Sequence, residues 1–505
     1  MGPIPGRRRR EGRADVRSPL PDLDGMLDAL VTNAREDPFR RMRRDVLACL
    51  MKALASVNPE SVIDESFQLD GSKLRVQGSS FSVGKSGIHL LAVGKAAVPM
   101  AKQVLQRMPI ASGIVATSDS RIAISGKGVR TIIASHPLPN RESLRAGAAA
   151  LEMAAQLQAG DLLLVLISGG ASALLESSPV PLKDLRACYA ALLRSGLAIR
   201  PLNEVRKSLS MVKGGRLGEL AAARGATIIS LILSDIIGDP IEDIGSGPTA
   251  PSSSRGAGAE EIVRKAKLWE ELPISIRRRL KEASNAPNEW RDRSGRVHAF
   301  IVAGNERACQ AAREEAERRG YASRIWTTSM QGEARRVGPP LVSKALRWSP
   351  RQPSIAMIAG GETTVKVRGE GEGGRNQELA LSTVEIMEGQ PAILLSCGTD
   401  GADGNSEAAG AIVDGETMTK ARALGLNPKE FLENNNSSAF FEALNDRVVT
   451  GPTGTNVADL LVFLMRRSGP RGPDRISRSA RTPGTSGTRR SHPRGRPARK
   501  SGGHR

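Results

Sequence analysis

The chain has 505 residues, with 73 Lys plus Arg against 53 Asp plus Glu and a formal charge of +20. The excess sits at the ends: residues 1–20 carry +4 and residues 466–505 carry +12, which leaves +4 on residues 21–465. A near-neutral body with 3% aromatic residues argues against a polyanion-binding surface or base stacking, and no apolar run reaches the roughly 18 residues of a membrane span.

Residues 1–20 cluster Arg without an apolar stretch behind them, so no secretory signal is expected. The four cysteines (Cys49, Cys188, Cys309, Cys397) are far apart and lack metal-type spacing, as in a reduced, cytoplasmic protein. In chain order, LDGMLDALVTNA and DVLACLMKALASV carry apolar residues at helical spacing and predict helices within 21–60. LRVQGSSFSV reads as a hairpin. Then the rhythm becomes strand, Gly/Ser/Asp-rich loop, helix. The runs at 88–93, 113–117, 131–135, 161–167 and 227–233 are unbroken and apolar, as strands buried on both faces require, and 145–158 and 207–224 supply crossover helices. The expected result is a parallel, doubly wound α/β sheet.

After a connection at 288–296, HAFIVAG, a helix near 308–320, SIAMIAGG (354–361), TTVKVRG (363–369), QELALSTVEIME and AILLSCGTD form a second α/β unit, with TTVKV alternating as an edge strand would. The expected division is a disordered basic N-terminus (1–20), a first domain (21–287), a second domain (288–465) and a disordered Arg-rich tail (466–505). The tail's Arg, Gly, Ser and Pro cannot build a core, leaving it non-specific contact with acidic surfaces.

Two glycine patterns resemble phosphate loops. Gly78…Gly84-Lys85-Ser86 has five residues between its glycines where four are needed, and it precedes a strand instead of following one. Gly369-x-Gly371-x-x-Gly374 fits a dinucleotide turn and follows a strand, but Glu370 and Glu372 stand where a pyrophosphate must approach. A surface turn fits it equally well.

Ligands of open α/β sheets sit outside the carboxyl ends of the strands. There Ser168, Gly169, Gly170 and Ser172 offer hydroxyls and bare N–H groups at a strand-to-helix junction, an anion cradle, and Ser246 and Thr249 offer a second turn of that kind. Lys95 opens a helix, where its charge opposes the dipole unless an anion is bound. His136 reads as a turn residue. Asp400, Asp403 and Glu407 lie in a Gly-rich loop suited to Mg²⁺, which takes one or two carboxylates plus water and phosphates. Asp235 closes a strand and is a second candidate for it. GPTGTNVADLL (451–461) is expected to open a helix, with Thr453, Thr455 and Asn456 as anion donors. Two cations, Lys95 and Arg375, with anion cradles and Mg²⁺ carboxylates are the parts phosphoryl transfer needs.

LISGGASALL, NEVRKSLSMVKGGRLGELA, LILSDIIGDPIEDIGSGPT, AGGETTVKVRGEGEGGRNQELAL, SCGTDGADGNSEAAGA and TGPTGTNVADL together resemble the glycerate 2-kinase family, whose C-terminal part is the MOFRL domain (here about 353–465). The likeness runs from about residue 25 to 465. It implies two three-layer α/β domains, a Rossmann-like N-terminal one and a mixed-sheet C-terminal one, with the site in the cleft between them. It implies Mg²⁺- and ATP-dependent phosphorylation of D-glycerate, to 2-phosphoglycerate or 3-phosphoglycerate, with Lys95 and Arg375 central. The oligomeric state, homodimer included, stays open. The family pattern has Asn-Asp-Ser where this chain has Asn435-Asn436-Ser437, which removes a carboxylate. The alternatives are an NAD(P)H-dependent hydroxypyruvate reductase, which requires 369–374 to be a dinucleotide turn, and an Arg-rich nucleic-acid binder.

Overall fold

The computed structural model describes residues 23–466 except 35–36, 85–86, 121–123, 125–127, 257, 285–288, 349 and 351. Lys85 and Ser86 of the phosphate-loop lookalike, and both basic ends, lie outside the described residues. The described chain forms two large sheets and one small one.

A small antiparallel meander comes first: β1 (Phe67–Asp70), β2 (Lys73–Val76) and β3 (Ser79–Ser82). It has three strands where the sequence suggests a two-stranded hairpin. The first large sheet contains β4 (Ile88–Val93), β5 (Ser112–Thr117), β6 (Val129–Ile133), β7 (Leu162–Ile167), β8 (Thr227–Leu233) and β9 (Val297–Ala303). Its order is β6-β5-β4-β7-β8-β9 and every pair is parallel. This is the Rossmann order, in which the chain reverses direction between the first and fourth strands and leaves a crevice at their carboxyl ends.

The apolar runs explain the layering. All six residues of β7 are buried. Leu164 and Leu166 face the layer holding the helix Ala97–Arg107, whereas Val165 and Ile167 face the helix Arg141–Gln156. The expected crossover helix at 207–224 is two helices, Ile199–Leu209 and Arg216–Ala223, broken where Gly214 and Gly215 both take positive φ.

The second large sheet is mixed. It contains β10 (Ala322–Met330), β11 (Ser354–Gly361), β12 (Ala392–Gly398), β13 (Gly410–Asp414), β14 (Arg447–Val448) and β15 (Asp459–Arg466), in the order β10-β11-β15-β12-β13-β14. Only β10–β11 is parallel. Two expectations fail here. TTVKV leaves the sheet, keeping one bridge from Thr364 to Glu333. The segment after GPTGTN opens no helix: DLLVFLMR becomes β15, a central strand with seven of its eight residues buried. An apolar run covered on both sides satisfies either element by periodicity alone.

The boundary expected at 287/288 does not follow the sheets. β9 lies beyond it yet extends the first sheet beside β8. The helix Phe39–Ser56 lies before it yet packs on β12 and β15 of the second sheet. One apolar cluster, including Met42, Val46 and Leu50 of that helix with Leu164, Ile393 and Val462, joins both sheets. All four cysteines are free and buried. Among the described residues, no single helix is long and apolar enough to cross a membrane.

Candidate active site

The crevice at the switch between β4 and β7 is built by mutual bonding of two loops. Gly94 follows β4 at φ 128°, and a Cβ there would lie 2.1 Å from Ser168 Oγ, so only glycine permits this approach. Ser168 Oγ accepts from Ala96 N (3.1 Å), and Lys95 N donates to the Gly169 carbonyl (2.9 Å). Ser168 is buried and serves to hold the Lys95 loop. The N–H groups of Gly169 and Gly170 have no hydrogen-bond partner among the described residues, so this part of the anion cradle is available. The Lys95 side chain is exposed.

Three adjoining cavities share this face. The largest, about 720 Å³, lies beside the glycine-rich loop and includes Arg375, Glu362 and Asp400. The next, about 540 Å³, is lined by Lys95, Gly169, Asp400 and Asn456. The smallest, about 250 Å³, is lined by Ser172, Arg206, Asp235, Arg375 and Asn456. Residues from both large sheets line each of the two smaller ones. Lys95, Arg375, Gly169, Gly170, Ser172, Asn456, Asp235 and Asp400 are therefore gathered at one place.

Thr249 is not among them. It is buried, and its hydroxyl pairs with Ser230 of β8 at 2.8 Å. Ser246 is buried behind Ser172, which it meets at 2.8 Å, and donates to Asn203 Oδ1 at 3.0 Å. Thr453 Oγ donates to the Thr399 carbonyl at 2.5 Å and acts as a loop tie. Glu407 is exposed and lines none of the three cavities.

Arg375 opens the helix Arg375–Leu381 already paired. Its Nε and Nη2 donate to Asp459 (2.7 and 3.0 Å), and its Nη1 donates to Glu362 (2.8 Å). Burial opposes the guanidinium charge, but Asp459 and Glu362 outweigh it and raise the pKa. Asp403 lines the largest cavity, but its carboxylate is already committed to backbone donors. It caps that helix, accepting from the N–H groups of Asn376 (2.9 Å) and Gln377 (2.8 Å). Sequence reasoning assigned no role to Asp459 or Glu362. The only signal for them was a lone acid at the edge of each motif.

The glycine-rich loop has already spent the donors of residues 368–373 on its own neighbours. Arg368 N and Gly369 N donate to Asn435 Oδ1, Glu370 N to Asn434 Oδ1, Gly371 N to the Asn434 carbonyl, Glu372 N to Asn436 Oδ1 and Gly373 N to Asn405 Oδ1, all at 2.6–3.2 Å. A Cβ at Gly369 or Gly371 would lie within 2.4 Å of Asn434 or Asn436. These glycines admit an asparagine ladder, and the dinucleotide-turn reading falls with them. Asn436 is a rung of that ladder, a place where the family's carboxylate would accept the same bond.

Burial raises the Asp235 carboxyl to about 6, with Glu362 and Asp400 adding to the effect and Lys95 opposing it. Among the described residues, no cluster of three or more His, Cys, Asp or Glu side chains forms a metal cage. Carboxylates that repel one another beside an anion cradle do fit Mg²⁺, which needs only one or two of them. His136, at the edge of the smallest cavity, is held neutral: burial first, then Lys95 and Arg206, lower its pKa to about 4.

Two family models match the chain: a domain of unknown function, DUF4147, over residues 45–281 and the MOFRL family over 355–459. The glycerate 2-kinase of Pyrococcus horikoshii is 34% identical over 423 residues, spanning 82% of this chain and 95% of that protein. This chain belongs to the glycerate 2-kinase family. The D-glycerate 2-kinase of Thermotoga maritima is 37% identical over 387 residues, 75% of this chain and 90% of its own. A crystal structure of glycerate kinase from Thermotoga maritima superposes with a TM-score of 0.72 at 33% identity, covering 88% of this chain and all of that one. Membership in the glycerate 2-kinase family makes the protein an enzyme of the kinase class.

Proposed function

We propose that the protein phosphorylates D-glycerate at its 2-hydroxyl, using ATP and Mg²⁺, in the cleft between the two large sheets, and that it does so in the cytoplasm. The observation that carries this reading is the convergence of Lys95 from the first sheet and Arg375 from the second on adjoining cavities.

Phosphoryl transfer demands positioning and charge neutralisation more than covalent chemistry. Lys95, exposed and aligned by Ser168 and Gly169, supplies a mobile cation at the switch point. Gly169 and Gly170 supply backbone donors. Arg375 supplies a cation fixed in place by Asp459 and Glu362, with its remaining N–H groups available to a phosphoryl oxygen. Asp235 and Asp400 would hold Mg²⁺, whose charge would neutralise phosphate oxygens. Thr249, Ser246 and Thr453 shape the loops that carry these groups.

The test is ADP formation from glycerate and ATP, with product identification by NMR. We expect 2-phosphoglycerate, and no NAD(P)H oxidation with hydroxypyruvate. Lys95→Ala and Arg375→Ala should each lower kcat on the order of 10²–10³-fold. Near-wild-type turnover in either variant overturns that residue's role.

A further inference from the structure

Arg206 lies on the helix Ile199–Leu209 and lines the smallest cavity. It is 8% exposed. Its guanidinium makes no hydrogen bond or ion pair among the described residues, and its Nε is buried without a partner. The other basic side chains of this segment are all answered. Arg200 meets Glu242 and Asp243, Lys207 meets Glu204 and Asp243, Lys213 meets Glu176, and Arg216 donates to the carbonyls of Lys207 and Lys213.

Arg206 is instead braced from behind. Its Cζ stands 5.4 Å from the centre of the Tyr189 ring, and Tyr189 donates to Glu176 Oε2 (2.7 Å), which Lys213 already neutralises. Burial disfavours the charge, and Tyr189 and Glu176 only partly restore it. A buried cation without a counter-charge in contact is costly unless a ligand completes it. Two of the carboxylates that share the cavity are engaged elsewhere, Asp243 by Lys207 and Glu362 by Arg375, and the third, Asp235, feels the Lys95 charge and makes no ion pair with Arg206 among the described residues.

A cavity of about 250 Å³ is small for a nucleotide and ample for a three-carbon acid. A planar guanidinium fork matches a carboxylate in two parallel bonds. We propose that Arg206 binds the carboxylate of the acceptor, so that the site selects small α-hydroxy acids over uncharged polyols of the same size. This rests on the kinase reading above, and it adds a recognition residue that composition and motif spacing left without a role.

The experiment is steady-state kinetics of the full chain with Arg206→Gln and Arg206→Lys, using glycerate and its uncharged isostere glyceramide as acceptors. Arg206→Gln should raise KM for glycerate about 10–100-fold, leave KM for ATP unchanged and shrink the preference for glycerate over glyceramide. Arg206→Lys, which keeps the charge and loses the fork, should fall between the two. A glycerate KM within about twofold of wild type, or a rise confined to KM for ATP, overturns the proposal. If Arg206→Gln fails to fold, Arg206→Lys decides on the same criteria. If wild type forms no ADP from glycerate, the kinase reading fails separately. Calorimetric titration of glycerate into wild type and Arg206→Gln then decides: binding lost in the variant supports the carboxylate site, and equal or absent binding in both overturns it.

Discussion

Arg375 enters the cleft with three of its donors committed, and its neighbours show why a fixed cation needs such partners. Without Asp459 and Glu362 a long side chain would sample many rotamers, and its charge would arrive late to any phosphoryl oxygen. Asp459→Asn should therefore lower kcat and, because its amide would face the Arg375 and Asn376 donors at a buried position, also lower stability by about 1–3 kcal/mol, read by the melting temperature. Asp235 gives a test in pH. Its folded pKa of about 6 exceeds the ordinary carboxyl value, so the native state holds the proton more tightly than the unfolded chain. The contribution is favourable at low pH and is lost as pH rises through about 4 to 6. Asp235→Asn should flatten that part of the stability–pH profile and gain on the order of 1 kcal/mol at pH 7, read by urea unfolding across pH. At this scale the sequence was informative about Lys95, Arg375, Ser172 and Asp400, because their types and strand-end positions already imply anion chemistry. It was silent on Arg206, which looks like any other basic residue until the pairing of its neighbours is known.

Among the elements, the asparagine ladder shows how a motif can misstate its own purpose. Gly369, Gly371 and Gly374 match the spacing of a dinucleotide turn, yet they are small because Asn434, Asn436 and Asp403 lie against them. Spacing records where side chains must be absent and does not say what fills the room. Asn435 carries the most of this ladder: its Oδ1 accepts from Arg368 N and Gly369 N, and its Nδ2 donates to Glu378 and to the Lys366 carbonyl. Asn435→Ala should cost about 1–3 kcal/mol in chemical denaturation and loosen the loop beside the largest cavity. Asn436→Asp keeps an acceptor for Glu372 N and should stay within about 0.5 kcal/mol of wild type. The parallel strands were legible because runs such as LLLVLI admit little else between helices. β15 was not, since its apolar run follows a Thr- and Asn-rich turn that reads equally well as a helix start, and its central place is set by partners far away in sequence.

For the molecule as a whole, the contacts cut across the two-domain division that the sequence rhythm suggests. Arg43, fully buried on the helix Phe39–Ser56, bonds Asp414 through Nε and Nη2 (3.0 and 2.6 Å) and Asp446 through Nη1 (2.6 Å). Removing it leaves two buried carboxylates uncompensated, and Arg43→Ala should destabilise the fold by about 3–5 kcal/mol. Fragments cut at 287/288 should not fold separately. The first would expose the apolar face of Phe39–Ser56 and the unpaired edge of β8, and the second would carry β9 with nothing to pair to. Circular dichroism and size-exclusion chromatography of the two fragments would check this.

The helix Phe39–Ser56 also carries a consequence for how the protein is made. It leaves the ribosome well before β15, against which it packs and which lies roughly 400 residues later in the chain. At about 5–20 residues per second, its apolar face waits on the order of 20–80 s for its partner. During that interval Met42, Val46 and Leu50 are open to any hydrophobic surface nearby. The nascent chain is therefore a natural client for a holdase, and its yield in a cell should track chaperone supply more closely than the stability of the finished fold.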